Sequence, residues 1–179
     1  NSLKSGGVEP INGLQLDVHK IPDMQNKWNK IRQQFQLIEN NYIVVHPGMA
    51  GSALNWPIHK WSEWIATLVN DKQRVVITGT QMDKKWLDDL RDRWEHHPRV
   101  AWTESKLTFD DLLITLSKAH HVYAPSTGVL HLAIAVGCSN VTGIYSPILA
   151  HHPLRWGPIQ NKLNHPQQVQ TILPALQNN

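Results

Sequence analysis

The residues with the clearest chemical potential lie in the stretch Ala124–Gly137, which reads A-P-S-T-G-V-L-H-L-A-I-A-V-G. Ser126, Thr127 and Gly128 follow a short apolar run and precede a helical pattern, and His131 shares a helix face with Thr127. A strand, a hydroxyl-rich turn and a helix together present backbone N–H groups and a positive dipole end to an anion. The segment therefore predicts an anion site, with an ordinary helix N-cap beside a flanking histidine as the alternative.

Apolar, β-branched runs alternate with helical patterns along most of the chain. A capping-box pattern at Thr108–Asp111 predicts the start of one helix, and a last helix is predicted from about Pro166 to Gln177. The alternation indicates an α/β fold with a doubly wound, parallel, Rossmann-like sheet. Its five predicted strands cover residues 42–46, 74–79, 99–102, 120–124 and 140–145.

The position of the anion site within such a sheet follows from the strand order. If the order is the common 3-2-1-4-5, the first and fourth strands are neighbours at the point where the winding reverses. Ligands of these sheets bind outside the carboxyl ends of the strands at that reversal. The loop at residues 46–48 and the loop at residues 125–128 would then face each other across one crevice.

Composition bounds the size and the class of the protein. The 179 residues, 41% apolar and 17% charged, fit one domain with a substantial core, which we assign to residues 25–179. Residues 1–24 read as a linker or an irregular segment. A net charge of +3 suits a small anionic ligand and gives no basic patch for nucleic acid. Cys138 is the one cysteine, which excludes an internal disulfide, and no apolar run approaches the roughly 20 residues of a membrane span.

Several common sites are missing from the sequence. The dinucleotide fingerprint, the P-loop and the G-x-S-x-G nucleophile elbow do not occur. The histidine pairs at 96–97, 120–121 and 151–152 point apart on regular elements, and no Asp-x-Asp occurs, so no metal site is predicted. A bound diphosphate would have to be neutralised by backbone amides, a helix dipole and cationic side chains.

Five segments, in this order, resemble the C-terminal half of glycosyltransferase family 9, the lipopolysaccharide heptosyltransferases. The resemblance covers roughly residues 25–178. Its segments are H-P-G-M-A-G-S-A-L-N-W-P at 46–57, V-V-I-T-G-T at 75–80, L-T-F-D-D-L-L at 107–113, S-T-G-V-L-H-L-A-I-A-V-G at 126–137 and S-P-I-L-A-H-H-P-L-R-W-G-P at 146–158.

The resemblance implies a B-type glycosyltransferase architecture, in which two Rossmann-like halves face each other across a cleft. The C-terminal half binds the nucleotide sugar, ADP-heptose in the best-known members, and no separate cofactor is needed. The N-terminal half holds the lipopolysaccharide-type acceptor and the catalytic carboxylate, so no residue of this chain is assigned a catalytic role. A cytoplasmic location is implied, with peripheral attachment to the inner membrane as an option.

The family's D-T-G-x-x-H motif corresponds here to Ser126, Thr127, Gly128 and His131. By this resemblance the amides near Thr127 and Gly128 meet the diphosphate, and His131 lies over the phosphate or the sugar. Four further positions are carried over: Gly48 and Met49 near the phosphates, Leu107 against the base, and Asp83 near the nucleotide hydroxyls.

Two positions depart from the family pattern. Ser126 replaces the usual aspartate, which leaves the identity of the donor sugar open. Leu54 replaces a frequent lysine in the first loop, so the balancing charge would come from elsewhere, with Lys60 and Arg155 as candidates.

The sequence thus supports the donor-binding half of a metal-independent glycosyltransferase. A stand-alone nucleotide or nucleotide-sugar binding domain without catalysis is the alternative. Half of a nucleotide-sugar epimerase with the same two-domain shape is a third hypothesis.

Overall fold

A parallel sheet of six strands organises the part of the chain that the computed structural model describes, which is residues 15–49 and 56–145 with the backbone of residues 168–172. The strands are β1 (Ile43–Val45), β2 (Val75–Ile77), β3 (Val100–Trp102), β4 (His121–Pro125), β5 (Asn140–Ile144) and β6 (Gln168–Ile172). The helices are α1 (Met24–Gln34), α2 (Ile58–Asn70), α3 (Lys84–Trp94), α4 (Phe109–Ser117) and α5 (Gly128–Ala135). The strand order is β3-β2-β1-β4-β5-β6.

The five predicted strands and their order are confirmed, and the sixth strand corrects the predicted last helix. Residues 168–172 pair in parallel with β5 along its whole length, where the sequence analysis expected a helix from about Pro166 to Gln177. Val169, Thr171 and Ile172 supply β-branched side chains, which favour extended backbone, and β5 offers an edge with free hydrogen-bonding groups. The remainder of the predicted helix lies outside the described residues.

The sheet is covered on both faces, which explains why its central strands are apolar throughout. Val44 and Val76 point into a cluster with α1, α4 and α5, whereas Val45 and Ile77 point into a cluster with α2 and α3. All four side chains are fully buried, as expected for parallel strands between two helical layers. None of the helices within the described residues is long and apolar enough to cross a membrane.

Buried polar contacts join the helices to the sheet and to each other. The Tyr42 hydroxyl donates to the Thr115 carbonyl at 2.6 Å, and the Trp94 indole donates to the Ser62 hydroxyl at 3.0 Å. These bonds satisfy polar groups that would otherwise be costly to bury. They hold α4 against the start of β1 and α3 against α2.

Residues 15–23 pack on the helical layer that contains α5. The Leu16 amide donates to the Ala135 carbonyl at 2.8 Å, and Val18 is buried in the core at the start of a short 3₁₀ turn. The predicted irregular segment of residues 1–24 is therefore partly packed on the domain. Its residues 1–14 lie outside the described part of the chain.

The predicted capping box at the start of α4 is confirmed. The Asp111 amide donates to the Thr108 hydroxyl at 3.2 Å, and the Thr108 amide donates to the Asp111 carboxylate at 3.0 Å. The two residues satisfy amides that the first turn of a helix leaves without partners. The cap fixes where the β3–α4 turn ends.

Replacing Thr108 with alanine should lower the free energy of unfolding by about 1 kcal/mol, because an orphan amide of α4 loses its acceptor. Urea denaturation of the variant and the wild type measures the change. Thr67→Ala is the matched control, since that exposed hydroxyl only bonds back to the Glu63 carbonyl within α2 and alanine is the better helix former. Equal losses in both variants would contradict a specific capping role.

Candidate functional site

The loops after β1 and β4 leave the sheet side by side at its carboxyl edge. β1 pairs with β4 in parallel, and the pairing continues beyond β1 because the His46 amide donates to the Tyr123 carbonyl at 2.9 Å. The sheet winds from β1 toward β3 on one side and from β4 toward β6 on the other. The predicted adjacency of these strands at the reversal is confirmed. Sheets of this kind bind ligands at such a reversal, and a ligand site here stays a prediction.

Thr127 provides an unused hydroxyl at the start of α5. Its backbone is extended in the N-cap position, yet its side chain makes no capping hydrogen bond. The Thr127 Oγ1 atom is buried and has no hydrogen-bond partner, whereas a threonine in this position normally accepts from the first turn. An unsatisfied hydroxyl beside the positive end of a helix is suited to an anionic ligand with oxygen atoms to share.

The other residues of this turn are accessible. Gly128 is exposed, and a Cβ added to it would meet nothing within 4 Å. Ser126 is half-buried and His131 is exposed, one helical turn after Thr127. The turn is therefore open to solvent at Gly128, the first residue of α5.

Gly48 and Asp83 are brought together from different loops. The Asp83 side chain lies against the Gly48 backbone, such that an added Cβ would be 2.5 Å and 2.6 Å from the two carboxylate oxygens. Real Cβ atoms do not approach oxygen so closely, so only glycine leaves room for Asp83 at this position. The sequence pattern placed both residues at the site without indicating that they touch.

The Asp83 carboxylate serves the local fold. Its Oδ2 atom accepts from the Thr80 amide at 3.0 Å and from the Thr80 hydroxyl at 2.8 Å, and these bonds cap the short 3₁₀ turn that precedes α3. The residue is only 3% exposed. Its contact with nucleotide hydroxyls stays a prediction, and its structural task is to fix the β2–α3 loop against Gly48.

His46 is a member of this site that the sequence analysis did not single out. It is 6% exposed, and its Nδ1 atom is 2.9 Å from the Thr78 hydroxyl. Burial lowers the pKa of His46 to about 4, against an opposing effect of the nearby Asp83 charge. The imidazole is therefore neutral at pH 7 and links β1 to β2. The sequence signal that could have identified His46 is its position at the end of an apolar strand, directly before Pro47 and Gly48.

Met49 and Leu107 lie in loops that follow β1 and β3 at the carboxyl edge of the sheet. Met49 is buried, 8% exposed, at the end of the described part of the first loop. Leu107 is half-buried against the cluster that contains α1. It also lines a cleft of about 550 Å³ between α1 and the start of α4, together with Lys27, Ile31, Phe35, Lys106 and Phe109. Leu54 and Arg155 lie outside the described residues.

The model of glycosyltransferase family 9 (heptosyltransferase) matches residues 10–176 of this chain. No curated protein sequence matches it significantly. Among solved structures, the chain is similar to a glycosyl transferase family 9 protein from Veillonella parvula, with 15% identity and a TM-score of 0.72. That alignment covers 91% of this chain and 43% of the Veillonella protein.

Two enzymes of E. coli are similar in fold. ADP-heptose LPS heptosyltransferase II shares 16% identity at a TM-score of 0.62, covering 93% of this chain and 46% of the enzyme. Heptosyltransferase WaaC, solved with ADP, shares 22% identity at a TM-score of 0.57, covering 79% and 42%. At these low identities, the structural similarity shows a common fold alone. The chain spans less than half the length of each of these structures.

Replacing Gly48 with alanine should lower the free energy of unfolding by about 1–3 kcal/mol, because the new methyl group would overlap the Asp83 carboxylate. Gly128→Ala is the matched control, since its methyl group meets nothing within 4 Å. Alanine there should leave stability unchanged or slightly raised. Thermal and urea unfolding measure both variants. A Gly48→Ala protein as stable as the wild type would show that Asp83 does not fill this space.

Stability should fall as the pH drops from about 6.5 to about 4. In this window an unfolded chain protonates His46, whereas the folded chain keeps it neutral because burial lowers its pKa to about 4. This one residue should lower the free energy of unfolding by about 3 kcal/mol across the window. Burial also lowers the pKa of His121 to about 4, so His46→Gln should reduce the slope of stability against pH without abolishing it. Urea titrations across this pH range test the difference, and an unchanged slope would contradict it.

Proposed function

We propose that this chain, which belongs to glycosyltransferase family 9, forms the donor-binding half of a metal-independent glycosyltransferase of the heptosyltransferase type. The donor would be a sugar linked to a nucleoside diphosphate, with ADP-heptose as the first candidate. The structure of E. coli WaaC with ADP, a protein similar to this chain in fold, supports an adenine nucleotide. The acceptor would be a lipopolysaccharide-type glycolipid bound by the other half of the enzyme.

The unpartnered Thr127 hydroxyl is the observation that carries this proposal. It is buried at the first turn of α5, which follows β4 at the winding reversal. It lies beside the exposed Gly128, where an added Cβ would meet nothing within 4 Å. A buried hydroxyl without a partner costs free energy unless a ligand or water supplies one. A diphosphate oxygen would complete its hydrogen bonding and lie at the positive end of the helix.

The proposed chemistry places the leaving group at this turn. When the bond between the anomeric carbon and the phosphate oxygen breaks, the sugar passes to the acceptor hydroxyl and the nucleoside diphosphate takes both bonding electrons. The added negative charge would be stabilised by the first N–H groups of α5 and by the Thr127 hydroxyl. The Thr127 amide itself donates to the Pro125 carbonyl at 2.7 Å. His131, exposed on the next turn, would contact the phosphate or the sugar.

Deprotonation of the acceptor would need a group from the other half of the protein. No residue of this chain matches the catalytic carboxylate that the family resemblance implies. Within residues 15–49 and 56–145, no three His, Cys, Asp or Glu side chains are grouped so as to hold a metal ion. The proposed site relies on amides, a helix dipole and cations such as Lys60 to balance the diphosphate.

A nucleotide-binding domain without catalysis is the second candidate function. It would use the same site at the start of α5 without transfer of the sugar. Incubation of the whole natural protein with ADP-heptose and a glycolipid acceptor separates the two, because only a transferase releases ADP in step with glycosylated acceptor. A cytoplasmic location, at or near the inner membrane, belongs to the transferase proposal.

Calorimetric titration of the 179-residue chain with ADP, UDP, GDP and ADP-heptose tests the donor site directly. We expect saturable binding of ADP and ADP-heptose, with weaker binding of UDP and GDP. The absence of binding by all four compounds at millimolar concentration would contradict the proposed function.

Thr127→Val should weaken ADP binding by about 10- to 100-fold, because a hydrogen bond to a charged oxygen is lost. The melting temperature should stay constant or rise, since the Thr127 hydroxyl has no partner within the protein. His131→Ala should also weaken binding without destabilising the domain, because its side chain is exposed. Earlier melting with unchanged affinity in either variant would show that the residue is structural.

A further inference from the structure

A charged network joins α3 to the turn between β3 and α4. The Arg91 guanidinium donates to the Glu104 carboxylate through Nε at 3.1 Å and through Nη2, and it also pairs with Asp88. The Glu104 side chain is 7% exposed and that of Arg91 is 19% exposed, whereas the Asp88 side chain is about half exposed. Glu104 is therefore the buried centre of the network.

Three N–H groups converge on one oxygen of Glu104. The Trp102 indole donates to the same Oε2 atom at 3.1 Å, and the Arg91 guanidinium lies 5.6 Å from the centre of the Trp102 ring. A buried carboxylate with several charge-assisted bonds is held in one geometry, and removal of a partner is costly. The network thus fixes the direction in which the chain leaves β3.

The backbone of the following turn is fixed from the other side. The Thr103 amide donates to the Ile77 carbonyl at 2.9 Å, and the Ser105 amide donates to the Gly79 carbonyl at 3.0 Å. Ser105 adopts a left-handed conformation with φ of 54°, which is unfavourable for a residue with a side chain. Such a conformation persists because the surrounding contacts impose it. Two residues later the chain reaches Leu107.

We propose that Arg91 and Glu104 are positioning residues that set the affinity for the nucleoside end of the donor. They hold the β3–α4 turn so that Leu107 stays where the base binds, and they do not touch the ligand themselves. The inference rests on the proposed function, because Leu107 is a base contact only if the domain binds a nucleotide. The diphosphate end, bound at α5, does not depend on this network.

Two probes that share the diphosphate but differ in the nucleoside test the inference. Calorimetry on the 179-residue chain measures the affinities for ADP and for inorganic pyrophosphate. Arg91→Met should weaken ADP binding about tenfold while leaving pyrophosphate binding unchanged, because a loosened support misplaces only the base contact. Arg91→Lys keeps the positive charge next to Glu104 and should recover part of the lost ADP affinity.

Asp88→Asn is the matched control, because it removes the exposed partner of Arg91 and leaves Glu104 in place; both affinities should stay at wild-type values. A parallel loss of ADP and pyrophosphate affinity in Arg91→Met, or no loss, would overturn the inference while the proposed function stands. A wild-type chain that binds neither probe would overturn both. Glu104→Gln repeats the test from the other side of the pair, with the same expected ratio of affinities.

Discussion

The parallel pairing of β1 with β4 is the constraint on which the rest of this site depends. Because the winding reverses between them, helices connect away from this point on both sides and the two loops are left beside each other. The hydrogen bond from His46 to Tyr123 carries the pairing into the first loop. The side chain of His46 contacts the Thr78 hydroxyl directly after β2. Hydrogen bonds within the protein therefore connect the ends of β1, β2 and β4.

The buried polar groups at this edge are of two kinds, those with hydrogen-bond partners within the protein and one without. Asp83 and His46 are buried and have partners within the protein, and they shape the loops that carry Gly48. Thr127 is buried at its hydroxyl and has no partner. A folded protein rarely leaves such a group unsatisfied. Under the proposed function, the first kind of residue supports the site and the Thr127 hydroxyl would bind the ligand.

The strands could be predicted because parallel strands buried on both faces are apolar throughout. Their predicted order rests on the common arrangement of doubly wound sheets. The last element could not be predicted: residues 168–172 combine polar and β-branched side chains, and pairing with β5 decides in favour of a strand. The turn at Ser126–Gly128 could be located from its order after a strand. The contact of Asp83 with Gly48, and the link of Glu104 to Arg91, depend on side chains from distant segments that no local pattern encodes.

The central claim is that a nucleoside diphosphate binds at the first turn of α5, opposite the loop after β1. Backbone amide chemical shifts of the isotope-labelled chain, followed by NMR during addition of ADP, test it most directly. The account predicts the largest shifts at Gly128, Val129 and Gly48, because their amides would lie nearest the diphosphate. Saturable shifts confined to other parts of the domain, with the start of α5 unmoved, would contradict it.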